Sequence, residues 1–234
     1  RDFWTIYKVE DTFEDPRKIE MGQKLLKELC MRASATIAVN SSIVDYLGCG
    51  STITNGYDAK LAELWRQAPS GDRFTIGLPG HLHDTRELTP LLDLLVQLKE
   101  HAPNQYAKVR LLQVGQVDEG WLRSLLEARQ LNPAIDIRGR QSRRNTIRIL
   151  AEAHLFFMGL SAREGTGFLP GRTFELIASG RPLVVSTSSD SEAGRLVTSY
   201  EHGHCFTEDT IKFLGTGDRL TTAYFKVIIN IINV

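Results

Sequence analysis

The sequence predicts an α/β fold with a doubly wound parallel sheet, and two observations carry that prediction. From Phe74 onward, short apolar segments alternate with longer segments whose apolar residues recur at helical spacing. This alternation is typical of parallel strands joined by helices that cover both faces of a sheet. The second observation is the stretch from Glu164 to Leu183, EGTGFLPGRTFELIASGRPL, which follows the apolar run Leu155–Met158. It predicts a buried strand, a glycine loop, a helix and a further strand.

The elements are predicted from apolar periodicity and from the residues that start and stop helices. Asn40 or Ser41 is expected to cap a short helix, and Gly180, followed by Pro182, is expected to end another. Asn55-Gly56 predicts a turn. The expected strands are Thr5–Val9, Thr36–Val39, Phe74–Leu78, Val109–Val114, Ile135–Ile137, Leu155–Met158 and Leu183–Val185. The expected helices are Arg17–Ala33, Ser42–Leu47, Glu87–Lys99, Glu119–Arg129, Arg143–Ala153, Gly171–Ala178 and Asp190–Val197.

Composition limits the classes of protein to consider. The chain has 234 residues, 42% of them hydrophobic, which is enough to build one large or two small domains. Its 28 basic residues balance 28 acidic ones, so net charge gives no argument for nucleic-acid or membrane binding. Cys30, Cys49 and Cys205 lack a C-x-x-C spacing and favour a reduced, cytoplasmic setting. We find no signal peptide and no apolar run of about 20 residues that could span a membrane.

The glycine loop before the helix at Gly171 suits an anion. The first amides of a helix lack intrahelical partners, and the peptide dipoles place partial positive charge there. Gly165, Gly167 and Gly171 allow close approach to the backbone. A positive charge at Arg172 destabilises the start of a helix unless an anion binds there. Glu175 can accept hydrogen bonds from two neighbouring hydroxyls, as on a ribose. A capped surface helix with a solvated Arg and Glu fits the same spacing, so both interpretations stay open.

The same stretch also resembles a known family. The resemblance is carried by Thr166-Gly167, Leu169 to Arg172, Phe174-Glu175 and Ala178 to Pro182. The stretch resembles the donor-site segment of GT-B glycosyltransferases of the retaining "glycosyl transferases group 1" type. The resemblance implies that Arg172 lies near the diphosphate of a nucleotide sugar and that Glu175 holds its ribose. The family more often has Lys at the place of Arg172, a change that keeps the charge and alters the geometry.

Other loops at the carboxyl ends of predicted strands are expected to complete one cleft: Pro79 to Arg86, Gly115, and Gly139-Arg140. In the family, a Gly and a basic residue six positions later are directed at the diphosphate, and Gly80 and Arg86 fill those places. His81 replaces the usual arginine, and Gly139-Arg140 resembles the turn that meets the base. The predicted donor-binding residues are therefore Gly80, His81, Gly139, Arg140, Glu164, Gly165, Thr166, Gly167, Gly171 and Glu175. The predicted catalytic residues are Arg86 and Arg172, and Glu164 either meets sugar hydroxyls or is a loop acid.

The first part of the chain resembles the second half of the family's N-terminal domain. Tyr7 to Asp11, Ala33 to Ser41 and Asn55 to Asp58 fill the corresponding places. The missing first half would hold most of the acceptor site, so we expect a fragment of a longer protein. The expected organisation is part of an acceptor-side Rossmann-like domain at residues 1–56, a Rossmann-like donor-binding domain at residues 57–215, and a tail at residues 216–234.

The resemblance implies transfer of a sugar from a nucleoside-diphosphate sugar to a glycan, lipid-linked or small acceptor, with retained configuration. It implies neither a metal nor another cofactor, because basic side chains and loop amides stabilise the leaving diphosphate. We expect no nucleic-acid partner and no membrane span, with peripheral membrane association left open. Two alternatives remain: a nucleotide-sugar-binding module without turnover, and a sugar-nucleotide epimerase on the same scaffold. A dinucleotide-dependent oxidoreductase is disfavoured, because the glycine loop comes late in the sheet order.

Two further clusters have less specific interpretations. The run His202-Gly203-His204-Cys205 has metal-ligand chemistry, but no second cluster supplies the remaining ligands, which favours a loop leading into a strand. The arginines between Arg138 and Arg148 fall largely on the outer face of a predicted helix and lack interleaved aromatics. They favour a solvated face over a nucleic-acid surface.

Overall fold

The computed structural model describes residues 15–67, 69, 72–82, 85–160 and 166–207, apart from the side chain of Arg86. The predicted strand at Thr5–Val9 and the tail at 216–234 lie outside these residues. The described elements are α1 (Pro16–Arg32), β1 (Ile37–Ala38), α2 (Ser41–Leu47), β2 (Ser51–Thr52), α3 (Ala59–Ala62), a 3-10 helix (Glu63–Arg66), β3 (Phe74–Pro79), α4 (Thr85–His101), α5 (Pro103–Tyr106), β4 (Val109–Val114), α6 (Glu119–Glu127), β5 (Ala134–Ile137), α7 (Arg143–Leu150), β6 (Leu155–Gly159), α8 (Arg172–Ala178), β7 (Leu183–Ser186), α9 (Glu192–Thr198) and β8 (Gly203–Phe206).

Strands β3 to β8 form one parallel sheet in the order β5-β4-β3-β6-β7-β8. The chain builds outward from β3 to β5 and then returns to start β6 on the other side of β3. This is the doubly wound order, and the direction of growth reverses between β3 and β6. The predicted α/β class is confirmed.

The core consists of two apolar layers, one on each face of this sheet. Neighbouring residues of a strand point to opposite layers, so Leu111 of β4 belongs to one and Leu112 to the other. The first layer contains the predicted leucine stripe of α4 and residues of α6, and the second contains Ile147, Leu176 and Val197 from α7, α8 and α9. Burial on both faces explains why these strands are continuous apolar runs in the sequence.

A smaller unit precedes the sheet. Strands β1 and β2 pair in parallel, and α1 and α2 accompany them. The Oδ1 atom of Asn40 accepts a hydrogen bond from the Ile43 amide at 2.9 Å, and Gly48 adopts the left-handed conformation (φ 68°) that ends α2. The helices predicted at 17–33 and 42–47 are therefore confirmed to within one residue, with Asn40 as the cap of the second. Among the described helices, none is both long enough and apolar enough to cross a membrane.

Some predicted boundaries were wrong by a few residues, for local reasons. Helix α7 stops at Leu150, because the chain turns so that the His154 amide donates to the Thr75 carbonyl at 2.8 Å and enters the sheet. Helix α9 starts at Glu192, because Ser191 caps it through the Gly194 amide at 3.0 Å. The segments α3 and α5 escaped prediction since four residues are too short to show a helical period.

A buried arginine ties three parts of the second layer together. Arg181, 8% exposed, donates to the carbonyls of Leu150 at 3.2 Å, Trp65 at 3.2 Å and Gln67 at 2.6 Å. Its guanidinium carbon also lies 5.8 Å from the centre of the Trp65 ring. Burial lowers the pKa of Arg181, although an arginine remains charged in proteins. The charge is thus accommodated by carbonyl dipoles of the segments that it joins.

Replacing Arg181 with Met should destabilise the fold by about 2–4 kcal/mol, because three carbonyls lose a charged donor. Urea unfolding followed by circular dichroism measures this free energy. The exposed Arg144 on α7 provides the control, since Arg144→Met should change stability by less than about 0.5 kcal/mol. Equal stability of the Arg181→Met variant and the wild type would contradict this role.

Candidate functional site

A cleft of about 170 Å³ lies at the carboxyl ends of β3 and β4, beside the first turn of α8. Four residues predicted from three separate loops line it together: Gly80, Arg140, Arg172 and Glu175. The other lining residues are Trp65, Pro79, Val114, Gly115, Gln141, Thr146, Ile147, Leu150 and Leu176. The edge of the sheet at which it lies is where doubly wound folds bind ligands.

Two glycines form the floor of this cleft and depend on each other. A Cβ atom on Gly115 would overlap the backbone of Gly80, so the two strand ends can approach only without side chains. Gly80 has φ 98°, a conformation that favours glycine, and its carbonyl accepts from Nε2 of the fully buried Gln113 at 2.9 Å. A Cβ atom on Gly80 would also overlap the guanidinium of Arg172. Arg172 therefore lies directly against the Gly80 backbone.

Helix α8 carries two of the three charged residues that line the cleft, Arg172 and Glu175, while the third, Arg140, comes from the turn after β5. Thr173 and Leu176 are fully buried beneath the helix, and Thr173 Oγ1 lies 3.9 Å from the sulfur of Met158 on β6. These contacts fix the rotation of α8 against the sheet. Arg172 and Glu175, three residues apart, then lie one above the other on the side of the cleft.

The Glu175 carboxylate is engaged by an arginine that the sequence did not single out. Arg143, the first residue of α7, donates from Nε to Glu175 Oε1 at 2.5 Å, and its Nη2 pairs with the same oxygen. The Arg143 side chain is 58% exposed, which agrees with the predicted solvated face, and in addition it pairs with a residue 32 positions along the sequence.

An aromatic residue closes the apolar side of the cleft. Trp65, 5% exposed, packs edge-to-face on Phe156 with ring centres 5.5 Å apart. Ile147, Leu150 and Leu176 continue this wall. An apolar wall facing a few charged groups is typical of sites for small organic ligands. Trp65 lies in a short helical segment without periodic signal, which explains why sequence patterns missed it.

The glycine loop beside the cleft contacts the smaller unit. The Gly167 carbonyl accepts from Asn40 Nδ2 at 2.7 Å, and the Thr166 carbonyl accepts from the Glu192 amide at 2.7 Å. At Gly171, a Cβ atom would lie 3.6 Å from Asn55 Nδ2. The predicted residues Thr166, Gly167 and Gly171 thus lie where the smaller unit meets the larger sheet, outside the lining of the cleft.

The remaining predicted residues have different positions. His81 is exposed and does not line the cleft, while Gly139 is in the left-handed conformation (φ 60°) next to Arg140. Arg86 is the second residue of α4, and its side chain lies outside the described part of the structure, as do Glu164 and Gly165.

The histidines near the end of the described chain belong to a strand and its approach. His202 packs edge-to-face on Tyr200 with ring centres 5.7 Å apart, and His204 and Cys205 lie in β8. Burial lowers the pKa of His204. Within the described ranges, no group of three His, Cys, Asp or Glu residues is arranged to hold a metal ion.

No protein family and no curated protein matches this sequence. Solved structures do match its fold. A point mutant of TarM from S. aureus, in complex with fondaparinux, α-GlcNAc-glycerol and UDP, has a TM-score of 0.61 and 14% identity over 96% of this chain and 42% of that chain. The α,α-trehalose 6-phosphate synthase of Burkholderia multivorans has a TM-score of 0.54 and 13% identity over 93% of this chain and 62% of that one.

A third match is a trehalose-6-phosphate synthase studied for enzymatic glycosyltransfer with retention, with a TM-score of 0.57 and 13% identity over 93% of this chain and 59% of that one. The chain has the GT-B fold. It spans 42–62% of the length of these three GT-B proteins. The fold expected from the glycine-loop segment is therefore confirmed.

Replacing Gly80 with Ala should weaken binding of inorganic pyrophosphate about fivefold or more, because the added methyl group displaces Arg172 from the cleft. Isothermal titration calorimetry measures the affinity. Gly180→Ala is the matched control, since Gly180 also has a positive φ (72°) but has open space around its Cα. It should cost about 1 kcal/mol of stability and leave pyrophosphate binding unchanged. Unchanged binding by Gly80→Ala would show that Arg172 does not bind the anion.

Proposed function

We propose that this protein is a glycosyltransferase that takes a sugar from a nucleoside-diphosphate sugar, and that the cleft is its donor site. The observation that carries the proposal is the meeting of Gly80, Arg140, Arg172 and Glu175 in one cleft at the carboxyl edge of the sheet. These residues come from loops far apart in the chain. The sequence predicts one cleft from strand order and from a family resemblance, and the structure brings these residues together through tertiary contacts.

Each part of a nucleoside diphosphate has a counterpart in the cleft. The apolar wall at Trp65 and Ile147 suits the flat face of a base, beside the turn at Arg140. Glu175, whose carboxylate lines the cleft, suits the two hydroxyls of a ribose. Arg172, one helical turn away against Gly80, suits the diphosphate. The order base, ribose, diphosphate then runs from the apolar wall towards the glycine loop.

The chemistry follows from this placement. When the sugar leaves, negative charge develops on the diphosphate, and a positioned cation lowers the energy of that state more than water does. Arg172 is the described residue proposed for this role, and Arg86 is proposed as a second cation. The proposal requires no metal ion or other cofactor, since the arginines supply the positive charge.

The finer assignments rest on the structural neighbours. The TarM structure contains UDP, fondaparinux and α-GlcNAc-glycerol, which supports a UDP-sugar donor and a glycan or small acceptor. We propose a lipid-linked acceptor as a further option on the family resemblance alone. The matched trehalose-6-phosphate synthase is described in terms of glycosyltransfer with retention, which supports a retaining reaction. The cysteines at 30, 49 and 205 lack a C-x-x-C spacing, which supports a cytoplasmic location. We assign residues 57–215 to the donor domain and residues 1–56 to the acceptor-side domain.

One of UDP, GDP, ADP and dTDP should bind the wild-type chain, and Glu175→Ala should weaken that binding about 10- to 100-fold, because charged hydrogen bonds contribute about 1.5–3 kcal/mol. Calorimetric titration measures both affinities. Glu119→Ala is the control, since Glu119 also pairs with an arginine near a helix start, on α6 away from the cleft. A 2′,3′-dideoxy analogue should bind wild type and Glu175→Ala equally. If no nucleotide binds, the donor-site assignment fails.

Incubation with UDP-glucose, UDP-GlcNAc, GDP-mannose and ADP-glucose should release free nucleoside diphosphate from one donor, and Arg172→Ala should reduce the rate at least about 100-fold. Coupled detection of the released diphosphate measures the rate, and chromatography identifies the sugar product. Nucleotide binding with an intact donor would make the protein a binding module. A donor whose sugar configuration has changed without release of nucleotide would make it an epimerase.

A further inference from the structure

A closed ring of hydrogen bonds joins three segments beside the cleft: the start of α2, the glycine loop and the start of α9. Glu192 Oε1 accepts from Ser41 Oγ at 3.0 Å, from the Ser42 amide at 3.0 Å and from Ser42 Oγ at 2.6 Å. The Glu192 amide donates to the Thr166 carbonyl at 2.7 Å, and Asn40 Nδ2 donates to the Gly167 carbonyl at 2.7 Å. The peptide links between Asn40 and Ser41 and between Thr166 and Gly167 join these hydrogen bonds into one closed ring.

The ring depends on one ionised carboxylate. The Glu192 side chain is 13% exposed, and its Oε1 also lies 3.2 Å from Arg195 Nη2. Burial raises the pKa of Glu192, but the hydrogen bonds from Ser42 and Ser41 and the charge of Arg195 outweigh burial, so the net shift is downward. Hydrogen bonds to a charged acceptor are about twice as strong as those between neutral groups. The carboxylate therefore holds the start of α2 firmly against α9.

Asn40 connects this attachment to the glycine loop. Its Oδ1 caps α2 through the Ile43 amide at 2.9 Å, while its Nδ2 bonds the Gly167 carbonyl. The side chain is 3% exposed, so no water competes freely for either bond. Glu192 fixes the position of the start of α2. Because Asn40 lies at that start, its hydrogen bond then fixes the position of Gly167. The position of the loop is thus set by residues that do not line the cleft.

We propose that Glu192 and Asn40 are positioning residues that hold the glycine loop from Thr166 to Gly171 in place for the diphosphate end of the donor. The inference rests on the proposed function, which places the diphosphate at Arg172, the residue that directly follows this loop. Both residues act through the loop backbone. Their contribution is therefore specific to the part of the ligand that meets the loop, and the base and ribose bind independently of it.

The test compares the nucleoside diphosphate that binds tightest among UDP, GDP, ADP and dTDP with its own nucleoside. Asn40→Asp keeps the oxygen that caps α2 and removes the donor to Gly167, and Glu192→Gln removes the charge at the centre of the ring. Each should weaken the diphosphate about 3- to 30-fold, because Asn40→Asp loses one hydrogen bond and Glu192→Gln replaces charge-assisted bonds with weaker neutral ones. Each should change the nucleoside affinity less than about twofold. Calorimetry measures the diphosphate, and ligand-observed NMR titration measures the nucleoside.

Glu119→Gln is the matched control, since Glu119 and Glu192 are each the first residue of their helix and each pairs with an arginine of that helix. It should leave both affinities unchanged. Circular dichroism of all variants verifies that α2 and the sheet remain folded.

The outcomes separate this inference from the function on which it rests. Selective weakening of the diphosphate supports positioning by the ring. Equal weakening of diphosphate and nucleoside, or no change in either, overturns the positioning role while the donor site stands. If the wild type binds none of the four diphosphates, the proposed function fails and this inference fails with it.

Discussion

The constraint on which the structure depends is the position of β3 between β4 and β6. Because β3 is hydrogen-bonded on both sides, the chain must extend the sheet one way from β3 and later return to extend it the other way. Right-handed crossovers then place α4 and α6 over one face and α7, α8 and α9 over the other, as the two core layers show. Helices α4 and α8, which follow β3 and β6, lie on opposite faces of the sheet, and the cleft with Gly80 and Arg172 lies at the carboxyl edge between them.

How much the sequence could predict depends on how local each feature is. The strands of the large sheet were predictable because burial on both faces makes them continuous apolar runs, and α4 because its leucines form one stripe. The shared position of Arg172 and Glu175 at the cleft was predictable, because the glycine loop, the arginine and the glutamate lie within a few residues of one another, whereas their roles stay predictions. The partnership of Arg143 with Glu175 was not predictable, because no local pattern encodes contacts across a fold. The contact of Gln113 with Gly80 could have been anticipated in part, because a polar residue inside an apolar strand needs a buried hydrogen-bond partner.

The buried guanidinium of Arg181 contacts the residue that forms the apolar wall of the cleft. Trp65 faces the cleft, and its carbonyl and its ring are both contacted by Arg181. The same guanidinium reaches Leu150 and Gln67, so the wall cannot shift without disturbing the join between α7 and β7. Arg181 therefore contributes both to the stability of the fold and to the shape of the cleft. Replacing it would alter the apolar wall even though its own side chain does not line the cleft.

The two bonds of Asn40 have a consequence for which amino acids the position admits. Ser, Thr and Asp all serve well as helix caps, and at most such positions they replace one another at small cost. Here the side chain must accept from the Ile43 amide and donate to the Gly167 carbonyl with different atoms in one fixed geometry. Asp offers acceptors alone, a hydroxyl has a single heavy atom for both tasks, and Gln is one methylene too long for the cap. Position 40 is a helix cap that several amino acids could fill, but the bond to the Gly167 carbonyl restricts it to asparagine.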